Sequence, residues 1–308
     1  HYPMSVETVL LHPTLAYAYM SSELKSRGHE VVVLDLPMRT NNIYVEEDFL
    51  LDFAPNIIGI TSVTQSYCQA LEIARFAKQV LPKVPIVLGG PHVTFTPEET
   101  LTRHSVVDYV MLYDCDLSFP DLVDALAAKD FSGLSKISGL AYHDPDNGHI
   151  VVTPPNPPTM DLDAYPKPDR DIFDMQKYLD HDYETVVMTA RGCPSRCAFC
   201  STTLMGRRYR YHGVPRIVDE FQSLVEFGFS SFFIGDDTFA ANAERTIQFC
   251  NEVKRRDLQF YWTSNMRALD ARPEVLEAMH SAGAYRVFMG FETVSRESLR
   301  RIRKGTTP

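Results

Sequence analysis

Short apolar segments alternate with amphipathic helical segments over most of this chain. In the first half, strands are predicted at residues 6–11, 30–34, 56–61, 85–88 and 106–112, and helices at residues 15–27, 67–80 and 119–128. Such alternation is typical of a parallel sheet with right-handed crossovers and helices on both faces. The ligand of such a sheet lies at the carboxyl ends of its strands. Residues 1–150 are therefore predicted to form an α/β domain with a ligand site in its strand-end loops.

A proline-rich segment separates this half from a second alternating half. Its prolines, concentrated between residues 154 and 168, exclude both a helix interior and a central strand. Residues 151–182 are therefore predicted to be an ordered linker, anchored by Met160, Leu162 and Tyr165. Beyond it, strands are predicted at residues 185–189, 231–234, 259–263 and 286–289, and helices at residues 214–226, 243–255, 273–281 and 296–303. Residues 183–308 are predicted to form a partial (β/α) barrel, with its chemistry at the carboxyl ends of the strands.

Three cysteines follow the first strand of the second half, in the run Arg191-Gly192-Cys193-Pro194-Ser195-Arg196-Cys197-Ala198-Phe199-Cys200-Ser201. Three thiolates can hold three corners of a 4Fe–4S cluster and leave the fourth iron without a protein ligand. An open iron of this kind is a place where a small molecule can coordinate and accept an electron. Cys193, Cys197 and Cys200 are therefore predicted to be metal ligands.

Two other uses of these cysteines are weaker. A structural zinc site needs a fourth ligand, for which His212 is the candidate, and it usually has a second pair of cysteines that this chain lacks. A disulfide is disfavoured because the chain has only 6 cysteines and opens with no signal peptide, which favours a cytoplasmic protein. Cys68, Cys115 and Cys250 are expected to be ordinary buried or half-buried thiols.

Composition narrows the class of partner. The chain has 308 residues, of which 44% are hydrophobic, so two globular domains can each bury a core. A net charge of −10 argues against a nucleic-acid surface. No apolar run approaches the roughly 18 residues of a membrane span. The expected partner is therefore a small molecule rather than a nucleic acid or a membrane.

The cysteine run resembles the signature of the radical S-adenosylmethionine (SAM) superfamily, C-x3-C-x-aromatic-C, with Phe199 at the aromatic position. The resemblance implies that SAM chelates the open iron through its amino and carboxylate groups. Its reductive cleavage would give methionine and a 5′-deoxyadenosyl radical. The electron would come from a donor such as flavodoxin or ferredoxin.

The same resemblance implies which residues hold SAM. Phe199 would meet the adenine edge through its backbone. Asp237, with Asp236 as the second choice, would accept hydrogen bonds from the SAM ammonium group. Arg267 would pair with the SAM carboxylate, and Glu292 would hold the ribose or the amine. The alternatives are a helix cap for the two aspartates and a surface salt bridge for Arg267.

Two segments of the first half resemble the Rossmann-like cobalamin-binding domain that precedes many radical SAM domains. They read Ile58-Gly59-Ile60-Thr61-Ser62-Val63-Thr64 and Ile86-Val87-Leu88-Gly89-Gly90-Pro91-His92. Paired glycines lack Cβ atoms and let a bulky, flat group approach a strand end. The resemblance implies cobalamin contacts at Thr14, Ser62, Val63, Thr64, Gly89, Gly90, Pro91 and His92. The alternative is a flavodoxin-like fold without this ligand.

The chain departs from related cobalamin domains at two points. The Asp-x-His-x-x-Gly motif that supplies a cobalt-binding histidine is absent, since the corresponding segment begins His12-Pro13-Thr14. We therefore expect cobalt without a histidine ligand. The family's frequent Gly-Glu after the fifth strand is replaced by Tyr113-Asp114-Cys115-Asp116.

Together the resemblances imply an enzyme with cobalamin, SAM and a 4Fe–4S cluster. The favoured reaction is methylation of an unactivated carbon or a phosphorus of a small, natural-product-like substrate. The alternative is a cyclisation or rearrangement of the type catalysed by the anaerobic magnesium-protoporphyrin ester cyclase. A non-catalytic sensor is disfavoured because it needs no SAM-binding carboxylates. Radical SAM cores usually contain six strand–helix units, so the four predicted here favour a piece of a longer protein over a barrel that a partner closes.

Overall fold

The computed structural model describes residues 12–39, 42–155, 159–203 and 208–307. These residues form two compact units, one within residues 20–155 and the other made of residues 12–19 and 159–307. The strand predicted at residues 6–11 lies outside the described residues. No helix in the described ranges is long and apolar enough to cross a membrane.

The first unit is built around a mixed sheet. Its strands are β1 (Ile58–Thr61), β2 (Ile86–Gly89), β3 (Tyr109–Met111), β4 (Leu140–His143) and β5 (Ile150–Val152). The helices before and between them are α1 (Leu15–Ser26), which begins in the other unit, α2 (Glu47–Phe53), α3 (Tyr67–Val80), α4 (Pro91–Thr94), α5 (Pro97–Arg103) and α6 (Phe119–Ala128). The α3 and α6 bounds match the prediction, and α1 ends within one residue of it.

The expectation of a wholly parallel sheet is wrong at one edge. The strands lie in the order β1-β2-β3-β4-β5; β1, β2 and β3 are parallel, and β4 and β5 are antiparallel to their neighbours. The β4–β5 turn contains Asn147-Gly148, and Gly148 has a φ of +73°. This pair is a strong hairpin signal. The predicted strand at residues 30–34 is not one among the described residues.

Helices cover both faces of the first sheet. In β2, Ile86 and Leu88 pack into one apolar cluster, while Val87 packs into another. Side chains of a strand point alternately to opposite faces, so this division places a core on each side. Leu71 of α3 lies in the first cluster and Leu122 of α6 in the second. The buried sheet presents the loops after β1 and β2 at one edge.

The second unit has a four-stranded parallel sheet in the order β11-β10-β9-β6. Its strands, with a separate two-stranded ribbon of β7 and β8, are β6 (Thr185–Val187), β7 (Ala190–Arg191), β8 (Arg210–Tyr211), β9 (Ser231–Ile234), β10 (Tyr261–Asn265) and β11 (Ala284–Phe288). The helices are α7 (Met175–Asp180), α8 (Val214–Phe227), α9 (Ala243–Arg255), α10 (Pro273–Ser281) and α11 (Arg296–Arg301). The four predicted strand–helix units are all present.

Aromatic side chains fill the space between this sheet and its helices. Phe232 and Trp262 are fully buried, and the Trp262 indole N–H donates to the carbonyl oxygen of Ala282 at 2.8 Å. Gly283 has a φ of +92°, and a Cβ there would lie 2.1 Å from the carbonyl oxygen of Phe260. Only glycine fits this turn into β11.

The proline-rich segment is ordered where it is described. Leu162 and Tyr165 are buried, as expected of anchors, whereas Met160 is 54% exposed and is not one. The Asp163 carboxylate accepts a hydrogen bond from the N–H of Gly213, directly before α8, at 3.0 Å. Residues 159–165 are thus fixed to the second unit by both apolar and polar contacts.

Candidate functional site

The cysteine run lies in a loop between the two strands of the small ribbon. The chain enters it from β7 and returns through β8, which pairs antiparallel with β7. Inside the loop, the Cys200 N–H donates to the Cys197 carbonyl oxygen at 3.3 Å. The Ala198 N–H donates to the carbonyl oxygen of Ile302, after α11, at 2.8 Å. The loop is therefore held at its ends by the ribbon and at its middle by the segment after α11.

The three thiols differ in exposure. Cys197 is buried, while Cys193 and Cys200 are half-buried. Burial raises the pKa of the Cys197 thiol, the nearby charge of Lys304 opposes the rise, and the two neighbouring cysteines add to it. Within the described ranges, no group of three His, Cys, Asp or Glu side chains is close enough to form a ready metal site. Three thiols are the donors that a 4Fe–4S cluster with one open iron requires. The three sulfur atoms are, however, not already arranged around a common point.

His212 is engaged away from the cysteines. Its Nδ1 lies 3.0 Å from Oδ1 of Asp163, and burial lowers the pKa of its ring. Of the remaining cysteines, Cys250 is buried and Cys115 half-buried, as expected. The expectation was wrong for Cys68, which is exposed because it lies on the outer side of the first turn of α3.

Asp237 lies beside the start of the cysteine loop. It is exposed and follows β9 by three residues. Its Oδ2 accepts a hydrogen bond from the Gly192 N–H at 2.9 Å, and its Oδ1 accepts one from the Thr202 hydroxyl at 3.3 Å. It does not cap α9, because Asn242 does so by accepting from the N–H of Arg245 at 3.1 Å. The structure therefore places an exposed carboxylate, bonded to both sides of the cysteine run, next to the cysteines.

Asp236 is placed differently from its neighbour. It is fully buried, and its carboxylate accepts hydrogen bonds from the N–H groups of Thr189 and Ala190 and from the Thr189 hydroxyl. Burial raises its pKa to about 6, against the opposing effects of the Thr189 hydroxyl, the Arg245 charge and the two N–H groups. Its expected contact with SAM is at odds with this placement, because a side chain with no exposed surface does not reach a ligand.

The Arg267 guanidinium already has hydrogen-bond partners within the protein. It forms a two-pronged pair with Asp270, with distances of 2.6 and 2.7 Å. The pair is mostly buried, so it is not the loosely held surface salt bridge considered as the alternative. The remaining terminal nitrogen donates to Oγ of Ser195, inside the cysteine loop, at 3.1 Å. Arg267 therefore contacts the loop directly.

The side chains of Glu292 and Phe199 both lie next to Lys304, which no sequence motif had indicated. Lys304 donates to Oε1 of Glu292 at 2.9 Å, and its Nζ lies 5.6 Å from the centroid of the Phe199 ring. Phe199 is 57% exposed. A Cβ on Gly290 would lie 2.5 Å from Glu292 Oε1, so this glycine leaves room for the ion pair.

Glu292 and Tyr113 share an unusual backbone conformation. Their φ values are +64° and +60°, in the left-handed region that favours glycine. The Tyr113 N–H donates to the Thr94 hydroxyl at 3.1 Å. Five other non-glycine residues in the described ranges share this region, so the conformation by itself does not mark a functional site. Tyr113 follows β3 by two residues, and Glu292 follows β11 by four.

In the first unit, the loops after β1 and β2 meet through their backbones. The Ser62 N–H donates to the Gly89 carbonyl oxygen at 3.0 Å, and the His92 N–H lies 3.5 Å from the Ser62 carbonyl oxygen. Gly90 has a φ of +99°, and a Cβ there would lie 2.4 Å from the Ser62 carbonyl oxygen. The Ser62 hydroxyl is buried without a hydrogen-bond partner among the described residues. An ordered water molecule or a polar ligand group can pair with such a hydroxyl.

The side chains around this contact form a small polar and aromatic cluster. Nδ1 of His92 lies 3.2 Å from Oγ1 of Thr64, and the His92 ring lies 4.1 Å from that of Tyr67. Val63 is 46% exposed, and Pro91 opens α4. The structure therefore groups seven of the eight residues expected to bind cobalamin. Thr14 belongs to the other unit, where its carbonyl oxygen accepts from the Tyr17 N–H at 3.0 Å.

Both halves of the chain match models of known protein families. Residues 4–123 match the model of the B12 binding domain, and residues 187–308 match that of the radical SAM superfamily. The chain therefore joins a B12 binding domain to a radical SAM domain. The matched ranges contain the loops after β1 and β2 and the whole cysteine run, respectively.

Relatives of this radical SAM protein include two groups. It is 36% identical over 300 residues to an uncharacterized methyltransferase of Pyrococcus horikoshii, covering 96% of this chain and 64% of the relative. It is 32% identical over 304 residues to the anaerobic magnesium-protoporphyrin IX monomethyl ester cyclase of Rubrivivax gelatinosus, covering 96% of this chain and 54% of the relative. The chain thus spans between about half and two thirds of these curated relatives.

A solved structure supports the fold of the radical SAM protein. The cobalamin-dependent SAM radical enzyme OxsB, with aqua-cobalamin bound, matches with a TM-score of 0.84 and 23% identity. The match covers 99% of this chain and 45% of OxsB.

Proposed function

We propose that this protein is a methyltransferase that uses cobalamin, SAM and a 4Fe–4S cluster to methylate an unactivated carbon or phosphorus of a small molecule. The observation that carries the proposal is the position of Asp237, whose carboxylate bonds to the first N–H of the cysteine loop. A carboxylate next to an open cluster site is placed to receive the ammonium group of SAM. The methyltransferase relative with 36% identity favours methyl transfer over other uses of the same cofactors.

The residues of the second unit would have different roles at the cluster. Cys193, Cys197 and Cys200 would hold three irons, and Asp237 would accept from the SAM ammonium group. Cluster and SAM together supply reductive radical generation, with an electron from a donor such as flavodoxin or ferredoxin. Glu292, neutralised by Lys304 at 2.9 Å, would fix the far side of SAM next to the Phe199 backbone. Arg267, held by Asp270, would set the position of the loop through Ser195.

The first unit would bind cobalamin at the loops after β1 and β2. Cobalamin supplies a methyl carrier whose cobalt–carbon bond can break in more than one way. The Ser62 hydroxyl would gain its missing hydrogen-bond partner, and exposed Val63 and Thr64 would contact the bound group. His92 is turned toward Thr64 and Tyr67, in agreement with the proposal that no histidine ligates the cobalt.

The comparison with a cyclase supports a second candidate reaction. The 32% identity to an anaerobic magnesium-protoporphyrin ester cyclase makes cyclisation without methyl transfer the competing function. Product analysis separates the two. Anaerobically reconstituted protein, incubated with SAM, cobalamin and a reductant, should release both S-adenosylhomocysteine and 5′-deoxyadenosine if methyl transfer is correct. Release of 5′-deoxyadenosine alone would contradict methyl transfer and favour the cyclase.

Gly90→Ala should weaken cobalamin binding. The new Cβ would lie 2.4 Å from the Ser62 carbonyl oxygen at a φ of +99°, so the two loops must move apart. Restoring the original loop conformation on binding would cost about 1–3 kcal/mol, or roughly a fivefold to hundredfold rise in the dissociation constant. Titration of hydroxocobalamin, followed by absorption, measures the change. Gly133→Ala is the matched control, because no atom lies within 4 Å of its added Cβ. Equal affinities in the two variants would show that these loops do not bind cobalamin.

A further inference from the structure

The cysteine loop depends on a ribbon that is too small to be stable alone. Only two residue pairs join its strands, Ala190 with Tyr211 and Arg191 with Arg210. A short isolated two-stranded ribbon is marginal in water. The ends of the loop must therefore be fixed by contacts from outside the ribbon.

Asp236 supplies such contacts at the entrance. It lies after β9, and its Oδ1 accepts from the N–H groups of Thr189 at 2.6 Å and Ala190 at 2.8 Å. Its Oδ2 accepts from the Thr189 hydroxyl. The carboxylate thus binds the turn that leads from β6 into β7. With no exposed surface, it takes no part in binding a ligand from the barrel mouth.

Arg245 joins the entrance to the exit. It lies in the first turn of α9 and is buried, with 4% of its surface exposed. Its Nη2 donates to the Thr189 carbonyl oxygen at 2.8 Å, and its Nε donates to the His212 carbonyl oxygen at 3.2 Å. Its guanidinium also stacks over Tyr211 of β8 at 5.0 Å. One side chain therefore spans both ends of the cysteine loop.

We propose that Asp236 and Arg245 are positioning residues that fix the two ends of the cysteine loop and so set the geometry of the cluster. The inference rests on the proposed function, because it takes the loop to be the cluster site. It separates adjacent aspartates by role: Asp237 faces SAM, and Asp236 holds the loop. The negative charge of Asp236 and the positive charge of Arg245 also partly neutralise each other inside the protein, where burying either charge alone would be unfavourable.

The test compares iron binding in matched variants of the protein. Asp236→Ala leaves three buried donors without an acceptor, so we expect loss of most of the iron after reconstitution. Asp236→Asn should restore iron binding, because the amide oxygen can accept the two N–H bonds and the Thr189 hydroxyl can reverse to accept from the amide. In Asp236→Asn the EPR spectrum of the reduced cluster should nevertheless shift, since a buried charge near the loop is gone. The circular dichroism spectrum and the thermal unfolding midpoint of each variant serve as the control for folding.

The result that overturns the inference is specific. If Asp236→Ala keeps full iron and an unchanged EPR spectrum, whether or not SAM affinity falls, Asp236 does not position the loop. If Asp236→Ala does not fold, Arg245→Lys gives the answer: it keeps the charge but cannot reach both carbonyl oxygens, so iron content should fall. Unchanged iron there would equally overturn the proposal. Failure of wild-type protein to bind iron would instead contradict the proposed function itself.

Discussion

Cys197→Ala should leave the protein without its iron–sulfur chromophore and without SAM cleavage. Cys197 is the most buried of the three thiols and lies at the centre of the loop, where the adjacent Ala198 N–H is bonded to Ile302. With two thiolates left, a cluster loses one of its three protein-held corners and does not assemble stably. The measurements are iron and sulfide content, visible absorption and 5′-deoxyadenosine formation.

Cys68→Ala is the matched control for this change. The thiol of Cys68 is exposed on α3, outside the cysteine loop, so its removal should leave iron content and SAM cleavage unchanged. If Cys197→Ala still binds iron in the wild-type amount, the assignment of the cysteine run as the cluster site is wrong. Reduced iron in both variants would point instead to a general effect of cysteine replacement on folding.

Asp237→Asn should weaken SAM binding while leaving the cluster intact. The amide keeps the shape and can still accept from the Gly192 N–H, which the carboxylate binds at 2.9 Å. It loses one charge-assisted hydrogen bond to the SAM ammonium group, worth about 1.5–3 kcal/mol. That difference corresponds to roughly a tenfold to hundredfold rise in the dissociation constant. Titrating SAM while following the EPR signal of the reduced cluster measures it.

Asp257→Asn is the control for the loss of one negative charge. Asp257 is exposed after α9, near the start of β10 and thus at the opposite end of the strands from Asp237. Its replacement should leave SAM affinity unchanged. An Asp237→Asn variant that binds SAM as tightly as wild type would remove Asp237 from the site and leave Glu292 as the remaining exposed acidic candidate.

Local patterns in the sequence were enough to predict much of the second unit. Helices α9 and α10 begin and end at the predicted residues because an asparagine cap or a first-turn proline, with an apolar periodicity, marks each. The cysteine spacing likewise located the loop between β7 and β8. The parallel core of the first sheet followed from the same alternation of strands and helices.

Other features of the site could be recognised only once the fold was known. Phe232 and Ile234 are both fully buried, and the period of two along an extended chain places Asp236 on the same side. That rule could have separated Asp236 from Asp237. The roles of Arg245 and Lys304 had no local signal, because Arg245 contacts Thr189, which lies 56 positions earlier, and Lys304 reaches Phe199 and Glu292 from beyond α11. Contacts between distant segments depend on how the sheet brings them together.

Metal analysis of the anaerobically reconstituted wild-type protein tests the central claim most directly. The protein should bind about four irons and four sulfides at Cys193, Cys197 and Cys200, together with about one cobalt as cobalamin. The Co(II) EPR spectrum should lack nitrogen splitting from an axial imidazole, since His92 is turned toward Thr64. A protein that takes up zinc and no iron, or that binds no cobalamin, would contradict the claim that this chain joins radical SAM chemistry to a cobalamin domain.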